Sequence, residues 1–302
     1  MKRKCILCSV LFFFVLPVIS IAQDIADEVI NQAVEKYQKQ LKKVNDMTTT
    51  YEDGVHYLKR EKHEGKIVTK ARVEQEVNGQ QSVSIYDGEY YWTKNSQTGD
   101  IQKSEMETYP VDMVLGMKDQ DYNYQGTEKV HDSECHHLTI EDAPFSEMPF
   151  PGMAESMSQA ETEDMIFDAD VFIDTEKLVT RKLNIEIDDV SMEGDNKERD
   201  VKITMLNSDF KNVSGVDVAY YSESVTEFEM SPEEKQQMKE SREQMKKEME
   251  NMPEEQREMI KSRMEAMDKT GMMSGEMKST RKVKEVKINT GIDDSLFNTD
   301  NL

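Results

Sequence analysis

The sequence predicts an α+β protein in which a strongly curved antiparallel sheet of about ten or eleven strands wraps an N-terminal helix, with a helical hairpin inserted before the last strand. Three observations predict it. Apolar and polar residues alternate with a period of two through most of residues 48–229. Asn78-Gly79 and Asp87-Gly88 interrupt the early alternation, and such pairs supply the positive φ that tight hairpins require. Ser231-Pro-Glu-Glu234 combines a capping box with proline at the first helical position, so a helix begins there.

Met1-Lys-Arg-Lys4, an apolar run from Cys5 to Ile21 and Ser20-Ile-Ala22 have the form of a secretory signal, with cleavage expected between Ala22 and Gln23. A retained membrane anchor is the rival, and it must count Ser9, Pro17 and Ser20 into the span. Cys5 and Cys8 lie near the start of the run, so no lipid-attachment cysteine stands at the cleavage point. The expectation is an exported protein, periplasmic and soluble after cleavage, with residues 1–22 removed and 23–302 forming one domain.

From Asp24 to Val44 the apolar residues Ala26, Ile30, Ala33, Val34, Tyr37, Leu41 and Val44 recur at three and four residues, the stripe of a helix that lies on a sheet. Residues 48–95 read as four strands divided at Glu64-Gly65, Asn78-Gly79 and Asp87-Gly88. Tyr109-Pro110 opens a short helix to Met117. Tyr122 to Val130 and Glu134 to Ile140 form a strand pair around His131-Asp132-Ser133. Residues 141–165, with Pro144, Pro149, Pro151 and Gly152 among acids and methionines, read as an inserted loop.

Long strands resume at Met165, with Phe167, Ala169, Val171 and Ile173, then Leu183, Ile185 and Ile187, then Val201, Ile203 and Met205 on one face. Val213 to Gly215 turns the chain into another strand. The helical insertion spans 231–271 and restarts at Met252-Pro253. Val286 and Ile288 alternate with lysines as a half-buried edge strand would, and Asp293-Asp-Ser-Leu-Phe297 returns one large apolar side chain to the body.

The net charge is −23, and loss of Lys2, Arg3 and Lys4 with the signal makes it more negative still. Such a chain repels phosphate backbones and anionic bilayers, which excludes nucleic acid as a partner. Cys135 alone remains after processing, so no internal disulfide forms and stability rests on the core. With 36% hydrophobic and 33% charged residues, part of the chain must be solvated helix or loop.

Asp209-Phe-Lys-Asn-Val-Ser-Gly-Val-Asp-Val-Ala-Tyr-Tyr221 and Val283-Lys-Glu-Val-Lys-Ile-Asn-Thr-Gly-Ile-Asp-Asp-Ser-Leu-Phe297, with Tyr86-Asp-Gly-Glu-Tyr-Tyr-Trp92 and Phe172-Ile-Asp-Thr-Glu-Lys-Leu178, resemble phrases of the outer-membrane lipoprotein-sorting family, the LolA/LolB-like proteins. The resemblance spans roughly residues 24–229 and 276–297. It implies a half-open barrel closed by helices over an apolar cavity for acyl chains. It also implies partners: lipid or lipoprotein acyl chains, and a membrane-bound donor or acceptor protein. The family's carriers hold their lid shut with an arginine on an early strand, and Arg60 and Arg72 are the candidates here.

Candidate ligand-binding residues are Tyr90 and Trp92, which share a face on their strand, and Met238, Met245, Met249 and Met259 of the insertion, whose unbranched thioethers adapt to apolar cargo or partners. The bland alternative is that they are core residues and helix-compatible filler. A soft-metal reading places Cu(I) on Met264 and Met267, or a two-ligand site on Cys135 and His137, which lie on one face of a strand. A protein-interaction module acting through the methionine-rich helices is the third class. No Ser/His/Asp order, nucleophile elbow, phosphate loop or His-Glu-x-x-His occurs, so the expectation is a non-enzyme without cofactors.

Overall fold

A computed structural model describes residues 6–63, 66–77, 80–94, 99–105, 117–118, 120–145, 165–191, 198–249, 253, 257, 261 and 275–302, with the side chains of residues 6–21 outside that description. Helix α1 (Ile6–Leu41) precedes β1 (Asp46–Tyr51), β2 (Gly54–His63), β3 (Lys66–Val77), β4 (Gln80–Tyr86), β5 (Tyr90–Lys94) and β6 (Ile101–Glu105). Then come β7 (Asn123–Val130), β8 (Ser133–Pro144), β9 (Ile166–Asp174), β10 (Thr180–Ser191), β11 (Glu198–Val213) and β12 (Val216–Phe228). Helix α2 (Pro232–Met249) and β13 (Glu276–Ile288) follow, and a 3-10 turn (Asp294–Phe297) lies beyond them.

All thirteen strands form one antiparallel sheet in the order β6-β5-β4-β3-β2-β1-β13-β12-β11-β10-β9-β8-β7. Every neighbour is consecutive in the chain except β1 and β13, which pair in the middle. The sheet's two edges are therefore β6 and β7, consecutive strands that do not pair among the described residues, so it stays open. The register pairs His63 with Lys66 at the end of β2–β3 and Val77 with Gln80 at the end of β3–β4. Gly88, at φ 111°, opens the β4–β5 turn, where an added Cβ would stand 2.5 Å from Val68 Cγ1.

The strand count exceeds ten or eleven in part because residues 48–95, read as four strands, hold five, the first of them divided between Tyr51 and Gly54 into β1 and β2, and because β6, only five residues long, lies beyond them. β13 is central, not the edge strand its alternation suggested. The alternation has another cause, since Val286 turns to the sheltered face and its lysine neighbours to water. The position of β13 is fixed at its end. The buried Asp46 carboxylate accepts hydrogen bonds from Thr290 N (2.8 Å) and Gly291 N (3.1 Å), and Asn289 Nδ2 donates to Lys43 O (2.7 Å). These bonds tie the strand's exit to the entry of β1.

The main core lies between α1 and β8–β11. Ala26, Val29, Ile30, Ala33 and Val34 pack with Leu138, Val171, Ile185, Ile187 and Val201, all below 8% exposed. The predicted faces of β9, β10 and β11 are therefore the observed ones. The described contacts of α1 in this core run from Ile25 to Val34. At its other end, Lys36 Nζ and Gln40 Nε2 reach Asp217 Oδ2 at 2.6 and 2.9 Å.

A second, smaller cluster of Val44, Leu58, Ala71 and Tyr86 continues on the same face under β1–β4. On the opposite face the C-terminal turn lies against β3. Arg72 Nη1 donates to Leu296 O (3.1 Å), and Phe297 is 5% exposed, so the tail does return its apolar side chain to the body. Helix α2 starts at the expected capping box: Ser231 N donates to Glu234 Oε2 (2.8 Å) and Glu234 N to Ser231 Oγ (3.2 Å). Arg199 of β11 pairs with Glu234 at 2.8 Å and fixes that first turn to the sheet.

Candidate functional site

Side chains alternate across a strand, so the pairing register decides which residues meet. Tyr91 pairs with Tyr86, Tyr86 with Ala71, Ala71 with Leu58, Leu58 with Met47, and Met47 with Ile288. This line runs across six strands on the face that carries the smaller cluster. Around its buried members stand half-buried Met47, Tyr51, Val73, Tyr91, Val283 and Ile288. The described core contacts of α1 fall on the other half of the sheet. The result is a partly apolar, aromatic-bearing face on the β13–β5 half, on the same side of the sheet as the main core but a separate cluster from it, and only half covered by the described residues.

Tyr90 and Trp92, expected as cavity wall, stand on the opposite face. They meet edge-on at 6.4 Å, with Lys103 Nζ 3.3 Å from the Tyr90 ring centroid. Trp92 Nε1 donates to Asp87 Oδ2 (2.8 Å), and Tyr90 N donates to Asp87 Oδ1 (2.8 Å). Burial works against the charged carboxyl of Asp87, yet these bonds and that of Glu89 hold its pKa below the ordinary value. Tyr91 stands on the helix-facing side, paired with Tyr86. The alternation required that one of the two sets face inward, and only the register settles which.

Met249 of α2 is half-buried. The side chains of Met238 and Met245, and Met259, Met264 and Met267 entirely, lie outside the described residues. The described side chains of α2 are mostly exposed. Cys135 and His137 share a face of β8 as expected, but each is engaged. Cys135 is fully buried in a cluster with Val130 and Phe172, and burial, then the Asp174 charge, raises its thiol pKa to about 11. His137 stacks on Phe172 at 4.4 Å, and its Nε2 is 2.7 Å from Asp170 Oδ1. Among the described residues no group of three His, Cys, Asp or Glu is placed to hold a metal ion.

Of the two arginines considered for a lid, Arg60 donates from Nη1 to Leu41 O (2.8 Å) and so caps the C-terminus of α1. Arg72 lies on the opposite face, bonded to Glu74 and Leu296 O. That face also bears a pocket of about 230 Å³ lined by Thr139, Glu141, Asp168, Asp170, Asn184 and Glu186. Its acidic lining is unsuited to an acyl chain. Among the described residues no helix is long and apolar enough to cross a membrane.

No family model and no curated protein matches this sequence. Solved structures similar to it include a DUF1329 family protein from Desulfovibrio piger, at 11% identity and TM-score 0.47 over 90% of this chain and 98% of that one. A LolA superfamily protein from Nitrosomonas europaea is similar at 11% identity and TM-score 0.40, with the same shares covered. The lipoprotein LppX of Mycobacterium tuberculosis is similar at 11% identity and TM-score 0.27, over 55% of this chain and 90% of that one.

Proposed function

We propose that this chain is an exported, non-catalytic carrier that holds an apolar ligand, a lipid or the acyl chains of a lipoprotein, against the helix-facing side of β13 and β1–β5. What supports this reading is the half-buried lining of Met47, Tyr51, Val73, Tyr91, Val283 and Ile288, which surrounds a second apolar cluster away from the described core contacts of α1. Each methylene withdrawn from water onto such a surface gains about 0.8 kcal/mol, so affinity needs no catalytic or metal group. The core contacts that α1 makes from Ile25 onward lie downstream of the expected cleavage after Ala22.

Native mass spectrometry of freshly purified protein, followed by lipid extraction, tests the reading. Carriage predicts an adduct of lipid mass, and a delipidated sample that rebinds acyl lipid stoichiometrically. A protein that arrives free of lipid and binds none on titration contradicts it.

A further inference from the structure

Resting on that carrier reading, the distribution of charge between the two faces of the sheet carries a further inference. The chain has 61 Asp and Glu residues. On the helix-facing side, among the described residues, no position of β1–β5, of β13 or of residues 220–228 of β12 holds one. Acids of the same strands, including Glu61, Glu74, Glu223 and Glu285, take the other face. Mere solvation of a face does not exclude carboxylates, since the opposite side is solvated and rich in them.

Within this acid-free stretch stands Arg281. It pairs with Ser222 across β12–β13, two residues from Val283, which pairs with Tyr51. Its side chain is exposed, and among the described residues it makes no ion pair with a carboxylate, whereas Arg72, Arg181 and Arg199 each do. Its charge reaches its neighbours across the face. His56 is kept neutral, its pKa lowered to about 4 by burial first and by Arg281 second. Arg281 is thus a positive charge set beside the apolar lining, on a chain whose net charge is −23.

We propose that Arg281 is a head-group anchor: the ligand is amphipathic, its chain lies along the Met47–Tyr91 lining, and its single anionic head, a carboxylate or a phosphate, rests on the Arg281 guanidinium. Guanidinium suits either head because its planar fork donates two parallel hydrogen bonds to paired oxygens. Tyr51, which pairs with Val283 two residues from Arg281, lies within reach of that charge.

Three probes with one C18 chain test this: oleate, oleoyl lysophosphatidate and neutral oleyl alcohol, each titrated below its aggregation limit against wild type, Arg281→Gln and Arg281→Lys. Wild type is expected to bind one or both anionic probes at least about tenfold tighter than the alcohol, the size of a charge-assisted hydrogen bond. Arg281→Gln should lose that preference while holding the alcohol unchanged, and Arg281→Lys should keep part of it. Preference for oleate alone points to a free acid, and for the phosphate to a phospholipid head. A wild type that binds all three probes alike, or an Arg281→Gln variant with the preference intact, overturns the anchor while the carrier reading stands. Failure of every probe to bind wild type overturns both.

Discussion

Neutralising Asp217 should weaken the docking of α1 in a pH-dependent way. Its carboxylate receives Lys36 Nζ at 2.6 Å, Gln40 Nε2 at 2.9 Å and Asn212 Nδ2 at 2.9 Å. Burial raises the pKa, but the bonds from Lys36, Asn212 and Gln40 together outweigh it and lower it from 3.8 to about 2. That difference sets a ceiling of about 2.5 kcal/mol. Lys36 is 29% exposed, and water screens part of the attraction, so about 1–2 kcal/mol is expected.

Because the folded pKa lies below the unfolded one, this stabilisation is complete above about pH 4 to 5 and is lost as pH falls through 2. Urea unfolding of wild type and Asp217→Asn at neutral pH and at pH 3 measures it. The gap between the two proteins should shrink by about half at pH 3. Equal stability at neutral pH, or a gap that does not narrow with acid, would falsify the assignment.

Ile185→Ala, at a site 1% exposed in the main core, should cost about 2–5 kcal/mol in urea unfolding; a loss under 1 kcal/mol would mean that α1 does not seal this face. Gly88→Ala combines a φ of +111° with a Cβ 2.5 Å from Val68 Cγ1 and should destabilise by about 1–3 kcal/mol. Pairing it with Val68→Ala should recover only the steric part, and full recovery would count against backbone strain. Cys135, fully buried with its thiol pKa near 11, should resist an aromatic disulfide reagent in the native protein and react at once in denaturant. Rapid labelling of the native state would show that this cluster opens.

Much of this architecture is written in the period of the residues. The α1 stripe, the faces of β9–β11 and the first turn of α2 follow from spacing alone, because each is a local consequence of helix or strand geometry. What spacing cannot supply is partnership. Val286 and Ile288 reveal that β13 has one sheltered face, but whether it is flanked on one side or both depends on Asp46 and Asn289, more than two hundred residues apart in sequence. For the same reason Tyr90-Tyr-Trp92 showed that two residues must face one way and one the other, while the choice of Tyr91 came from its pairing with Tyr86. Arg281 was illegible by this route: a lone arginine among lysines in a strand carries no signal until the register shows that its face holds no acid.

Photocrosslinking with a diazirine-bearing fatty acid, mapped by peptide mass spectrometry, tests most directly whether the helix-facing side of β13 and β1–β5 receives the ligand. Labels concentrated on Met47, Tyr51, Val73, Tyr91, Val283 and Ile288, sparing Tyr90 and Trp92 one residue away, are the predicted result. Labels on Tyr90 and Trp92 instead, or distributed without regard to face, would contradict it.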